Sequence, residues 1–392
     1  MDRLVLGGKR CCNNGAVIPE GSVGVVETQT VRLFDDGLTT RSGIVLPEVQ
    51  VAYETYGTLN EARSNAIYIC HALTGDAHAA GYHAGDDRPG WWDNIIGPGR
   101  AIDTDTWFVV CSNILGGCQG TTGPASINPA TGEPYGTDFP LLDMTDFVEV
   151  HRGLARHLGI TKFAAAVGGS LGGMQVLQWA LDHPEDLGRA LVFAASSRLT
   201  AQNIAFSAVG RQAIMRDSGF NEGKFLTRGT APRKGLSVAR MLAHITYLSE
   251  HAFQEKFGRS AQRGELAGNF GIDFAVESYL EYQGERFLSR FDALSYLYLT
   301  RVMDYFDPFA DARALDTLKA DPVRFLLVSF TSDWRFSTEH TRRIVRHLEE
   351  ARIPTSFREI QSTWGHDSFL LDLPDYHATV RAYLDKAAEE IA

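Results

Sequence analysis

Phe163-Ala164-Ala165-Ala166-Val167-Gly168-Gly169-Ser170-Leu171-Gly172-Gly173-Met174-Gln175 is the stretch on which the fold turns. Its first five residues form an apolar run of strand length, and Met174 to Leu181 reads as a helix. Between them lies Gly168-Gly169-Ser170-Leu171-Gly172, a Gly-x-Ser-x-Gly pattern at a strand-to-helix turn. That is the setting of a nucleophile elbow, in which a serine is held on a sharp, strained turn. Small neighbours are required because the turn brings backbones together. The helix start then offers the Leu171 N–H to a developing oxyanion.

Other short apolar runs alternate with helical patterns. Val49 to Tyr53, Ala66 to Cys70, Trp107 to Cys111, Leu191 to Ala195, Val323 to Phe330 and Thr355 to Ile360 read as strands. Helices are expected near Glu339 to Arg352 and Pro374 to Ala388. Such alternation predicts βαβ units and a mostly parallel sheet. From about Ser197 to Phe306 the strand pattern stops, and long helical segments take over, Ala201 to Arg216 and Leu236 to Phe257 among them. The predicted organisation is an arm with an edge strand (1–40), an α/β core (41–196 and 307–392) and a helical cap inserted at 197–306. Ligands in open α/β sheets bind at the carboxyl ends of the strands, beneath such an insertion.

A serine hydroxyl needs a base, and the base needs an orienting acid. In this fold the chain order is Ser, acid, His. Asp333 falls just past the Val323–Phe330 strand, and His366 lies in the loop after the next strand. Ser170, Asp333 and His366 are therefore the candidate triad. The second oxyanion donor should come from the loop after an earlier strand, Cys70-His71-Ala72-Leu73-Thr74-Gly75-Asp76. The Leu73 N–H is the first choice and that of Ala72 the second. His71, Asp76, His78 and His83 are assigned no metal, since the triad needs none and no HExxH-like spacing is present. The glycine-rich run Asn113 to Pro124 lacks a P-loop ending and reads as a rigid loop beside the site. Cys118 within it is not taken as a nucleophile, because no His or Asn is placed to pair with it.

The 392 residues, 44% of them apolar and 22% charged, describe an ordinary globular chain and exclude a fibrous or disordered one. A net charge of −11 argues against a nucleic-acid partner. No apolar run approaches the ~18 residues of a membrane span, and Met1 to Asn14 lacks the apolar segment of a secretory signal. The five cysteines, Cys11, Cys12, Cys70, Cys111 and Cys118, form no CxxC and read as free thiols in a reducing compartment, the cytoplasm.

With these residues in view, the chain resembles the homoserine O-acyltransferase family of the α/β-hydrolase superfamily. The resemblance covers roughly residues 45 to 385. It rests on Ala52-Tyr53-Glu54-Thr55-Tyr56-Gly57-Thr58-Leu59-Asn60, His71-Ala72-Leu73-Thr74-Gly75 and Gly90-Trp91-Trp92-Asp93. It rests also on Leu115-Gly116-Gly117-Cys118, Gly123 to Pro129, the elbow, and Gly365-His366-Asp367. It implies an α/β-hydrolase fold and a ping-pong acyl transfer from acyl-CoA to L-homoserine, a step of methionine biosynthesis. It implies small-molecule substrates, no tightly bound cofactor and a homodimer formed through the cap. It assigns the acceptor contacts to Arg211 and Asp367, a guanidinium for the amino-acid carboxylate and a carboxylate for its ammonium. It places acyl-donor specificity at Arg335, two residues after the triad Asp. A cation there suits a succinyl carboxylate, so succinyl-CoA is favoured. Acetyl-CoA as donor, serine as acceptor, and plain ester hydrolysis are the alternatives.

Overall fold

The computed structural model describes residues 18–391 apart from 265, 267, 269 and 312. Residues 1–17 of the arm expected at the N-terminus, Cys11 and Cys12 among them, lie outside the described residues.

An eight-stranded sheet organises the chain. Its strands are β1 (Gln29–Leu33), β2 (Val49–Tyr56), β3 (Ala66–Cys70), β4 (Phe108–Ser112), β5 (Ala165–Gly169), β6 (Arg189–Phe193), β7 (Arg324–Phe330) and β8 (Thr355–Ile360). Their spatial order is β1-β2-β4-β3-β5-β6-β7-β8. β1 and β2 pair antiparallel, as do β2 and β4, and from β4 to β8 every pairing is parallel. The inner parallel strands β3, β5 and β6 are buried on both faces, which is why they read as unbroken apolar runs rather than alternating ones. Strand alternation divides β3 between two cores: Tyr68 packs on one side of the sheet with Phe147, Phe163 and Trp179. Ile67 and Ile69 pack on the other with Trp92, Val167 and Tyr376.

Eleven helices are described: α1 (Met144–His157), α2 (Leu171–Asp182), α3 (Ala201–Met215), α4 (Phe225–Arg228), α5 (Arg233–Tyr247), α6 (Glu250–Lys256), α7 (Ala275–Phe287), α8 (Ala293–Tyr305), α9 (Asp316–Ala320), α10 (Thr338–Glu350) and α11 (Pro374–Ile391). α3 to α8 follow one another between β6 and β7, with no strand of the main sheet among the described residues there. α5 packs against both α3 and α7.

One helix differs from the sequence expectation. The segment Leu236 to Phe257 is two helices, broken at Leu248 and Ser249. The Ser249 side chain accepts from the Ala252 N–H and caps α6, and its hydroxyl donates to the Thr363 carbonyl. The break brings Tyr247, the last residue of α5, beside the His366 ring, with centroids 6.0 Å apart.

Candidate active site

Ser170 stands between β5 and α2 with φ 58° and ψ −124°. A non-glycine residue there is strained by about 1–3 kcal/mol, and its surroundings must impose it. They do so through glycines. A Cβ on Gly172 would lie 2.0 Å from the Cys70 carbonyl oxygen, and one on Gly168 would lie 2.4 Å from the Gly172 carbonyl carbon. The Ser170 N–H donates to the Phe193 carbonyl at 3.0 Å, which ties the turn to β6.

The three residues expected to act together are in contact. Ser170 Oγ and His366 Nε2 are 2.9 Å apart, and His366 Nδ1 lies 2.7 Å from Asp333 Oδ2. Asp333 Oδ1 accepts from the backbone N–H groups of Arg335 at 3.0 Å and Phe336 at 2.8 Å. All three are buried. The imidazole is walled by the rings of Tyr247, Phe336 and Phe369. Both oxyanion candidates lie beside Ser170: Leu171 opens α2, and Leu73 lines the same cavity as Ser170. Among the described residues neither the Leu73 nor the Leu171 N–H has an acceptor in the protein. Ala72 lines the cavity too, and its carbonyl accepts from the Gly75 N–H and the His71 ring.

The cavity, about 110 Å³, carries two guanidinium groups and a carboxylate, those of Arg240, Arg335 and Asp367. Arg211 is not in the cavity wall. Its Nη2 lies 2.6 Å from Asp304 Oδ2, and its Nη1 donates to Thr300 Oγ1, so its charge is neutralised between α3 and α8. The helical insertion's cation that lines the cavity is Arg240 on α5, which packs over the rings of Phe287 and Tyr247. Arg240 was missed by sequence reasoning, although an Arg in the apolar stripe Leu236, Ala243, Tyr247 is a signal. Burial pushes the Asp367 carboxyl up to about 6, against the pull of His366 and Arg240. Arg335 is buried, its Nη1 donates to Thr246 Oγ1 at 2.7 Å, and its guanidinium lies 5.6 Å from the Tyr247 ring centroid. Among the described residues neither Arg240 nor Arg335 has a carboxylate within salt-bridge distance.

The histidines considered for a metal fall into two settings. His71 donates from Nδ1 to the Ala72 carbonyl and accepts the Ile114 N–H on Nε2, which docks the glycine-rich loop on the Leu73 loop. His78 and His83 converge on Glu54, a residue the sequence did not single out, with their ligand atoms within 4.8 Å of one another. Glu54 Oε1 accepts from Thr28 and His83, and Oε2 from Tyr56 and His78. Burial works to raise this carboxyl's pKa, but the bonds from His78, His83 and Thr28 outweigh it and hold it at about 2. The donors thus form a closed hydrogen-bonded cage that fastens β2 to the loop after Leu73. Cys118 donates to the Arg290 carbonyl, and burial pushes its thiol up to about 11. Cys70, Cys111 and Cys118 are free.

A serine on a strained strand-to-helix turn, hydrogen-bonded through histidine to aspartate at the ends of parallel strands, defines the class: the chain has an α/β-hydrolase fold. The family model for that fold matches residues 65–373. Over 367 residues the chain is 55% identical to the homoserine O-succinyltransferase of Nocardioides sp. (strain ATCC BAA-499 / JS614), spanning 93% of this chain and 99% of that protein. It is 52% identical over 379 residues to the homoserine O-acetyltransferase of Rhodospirillum rubrum, spanning 95% and 96%. Among solved structures, the homoserine O-acetyltransferase of Bacillus anthracis matches with a TM-score of 0.85 and 29% identity over 92% of this chain and 98% of that one. Esterase E22 matches with a TM-score of 0.83 and 28% identity, over 92% and 100%. The chain belongs to the homoserine O-acyltransferase family, and it is an acyltransferase. No helix among the described residues is long and apolar enough to cross a membrane.

Proposed function

We propose that the protein transfers a succinyl group from succinyl-CoA to the hydroxyl of L-homoserine by a ping-pong mechanism, as a step of methionine biosynthesis in the cytoplasm. Ser170 attacks the thioester while His366 takes its proton, and CoA leaves with a proton returned by His366. The homoserine hydroxyl then attacks the acyl-serine, with His366 again as base. Asp333 holds the imidazole, and the Leu73 and Leu171 N–H groups receive each oxyanion. Residues 197–306 act as the cap that keeps water from the acyl-enzyme, and the same helices form the face of a homodimer.

Charge in the cavity is the observation that carries the substrate reading. A zwitterionic amino acid uses one cation and one anion, Arg240 for its carboxylate and Asp367 for its ammonium. The second cation, Arg335, remains for a carboxylate on the acyl tail. Wild type should therefore prefer succinyl-CoA over acetyl-CoA by ~10²-fold in kcat/KM, and Arg335→Leu should erase the preference by lowering succinyl transfer alone. Steady-state assays of both donors on both enzymes measure this. A wild-type preference for acetyl-CoA, or equal loss with both donors, sinks the succinyl reading, and release of free succinate with homoserine present would favour hydrolysis.

The two capped arginines should separate cleanly. Arg240→Ala should cost ~10²-fold in kcat/KM for homoserine while the burst of CoA release survives, the scale of one charge-assisted pair. Arg211→Ala should instead leave the buried Asp304 with only Arg301, 3.6 Å away, and lower folding stability by about 3 kcal/mol. Acceptor KM and denaturation midpoints of both variants decide it. A stable Arg211→Ala enzyme with weakened homoserine use would return the acceptor role to Arg211.

A further inference from the structure

A buried chain of polar groups ends on both arms of the oxyanion site. Gln175, fully buried on α2, donates from Nε2 to the His71 carbonyl at 3.0 Å and to the Leu171 carbonyl at 3.3 Å. His71 stands two residues before Leu73, and Leu171 is the elbow residue itself. One amide group therefore clasps the two segments proposed to supply the oxyanion donors. Its oxygen is 2.9 Å from His151 Nε2, His151 Nδ1 is 2.8 Å from the Tyr68 hydroxyl, and that hydroxyl is 2.5 Å from Ser112 Oγ.

The directions of these bonds follow from chemistry alone. Two carbonyls can only accept, so the Gln175 NH₂ must face them, and its oxygen must face His151. His151 Nε2 is then the protonated nitrogen, Nδ1 accepts from Tyr68, and Tyr68 accepts from Ser112. Burial holds the His151 ring neutral, with its pKa down at about 3, so this single tautomer persists. A rotated Gln175 amide would set its oxygen against two carbonyls and its NH₂ against the His151 N–H. Both of its N–H donors and its oxygen are engaged, and only one orientation satisfies the set.

We propose that Gln175 is a positioning residue that fixes the spacing of the Leu73 and Leu171 donors, and that His151, Tyr68 and Ser112 hold its amide in the one orientation that does so. The proposal rests on the reading of those two N–H groups as the oxyanion donors. Gln175 touches no reacting atom. It acts through backbone, where a displacement of about 1 Å is enough to cost ~10²-fold in rate.

The test uses the full chain with Gln175→Met, which removes both bonds with little change of volume, and Gln175→Glu, which sets a carboxylate oxygen against the carbonyls. Per folded enzyme, kcat should fall about 10- to 100-fold, with KM for donor and acceptor within threefold of wild type. Affinity for an alkyl boronic acid, which forms a tetrahedral adduct on an activated serine, should fall in step with kcat. The low-field proton resonance of His366 Nδ1–H should persist, because Asp333 and His366 are untouched. A kcat within threefold of wild type in both variants would overturn the proposal. So would loss of the resonance together with a raised KM, or failure of both variants to fold, since either assigns Gln175 a purely structural role. If wild type itself neither acylates Ser170 nor binds the boronic acid, the underlying reading fails, and the positioning role falls with it.

Discussion

Ser170→Ala should fold normally and lose acyl transfer by about 10⁴-fold or more. Folding should survive because alanine meets the same φ of 58° as serine does, and the Phe193 carbonyl still holds the turn through the backbone N–H. Catalysis should not survive, because among the described residues no second nucleophile stands in reserve. Cys118, the other candidate, has a thiol pushed up to about 11 and directed at the Arg290 carbonyl. Wild type mixed with acyl-CoA and no acceptor should gain one acyl mass on the peptide carrying Ser170 and release CoA in a burst. The variant should do neither, and wild-type kinetics should give parallel lines when both substrates are varied. A sequential pattern with no acyl-enzyme on rapid quench, or an alanine enzyme within tenfold of wild type, would require a different chemistry.

The parts of this site that the sequence revealed are those written in local spacing. Glycines at 168, 169, 172 and 173 make a recognisable pattern around Ser170, but only Gly168 collides within that window; Cβ atoms on Gly169, Gly172 and Gly173 would meet Phe369, Cys70 and Ala195. Asp333 and His366 were found because chain order and the ends of buried strands place them, although they meet Ser170 only through the sheet. The arginines show where this reasoning stops. Arg211 and Arg240 each lie on the buried face of a helix, next to Gly210 and Ile214 in one case and Leu236 and Ala243 in the other. Nothing local distinguishes them. The difference is Asp304, 93 positions from Arg211, which absorbs one charge and leaves the other facing the cavity. The Glu54 cage and the Gln175 chain were hidden for the same reason, because their meaning lies in partners on other elements. The break between α5 and α6 was legible in principle from Ser249, a good helix cap. The apolar pattern ran across it and masked the stop.

Asp333→Asn should reduce kcat by about 10³- to 10⁴-fold while leaving stability close to wild type, and the reason lies in which oxygen is replaced. Oδ1 of Asp333 receives two backbone N–H groups, from Arg335 and Phe336, and an asparagine must keep its own oxygen there. Its NH₂ then occupies the position of Oδ2, 2.7 Å from His366 Nδ1. Two donors cannot face each other, so the imidazole must present a bare Nδ1 and carry its proton on Nε2. That nitrogen lies 2.9 Å from Ser170 Oγ and would now donate to the hydroxyl it has to deprotonate. Substrate binding does not involve this proton, so KM should stay within threefold, and loss of the acyl-enzyme burst should accompany loss of turnover. A double comparison isolates the cause. On a His366→Ala background the same Asp333→Asn change should cost almost nothing more, because no tautomer remains to be misassigned. Independent, multiplying losses in the two variants would mean that Asp333 acts on something other than the imidazole.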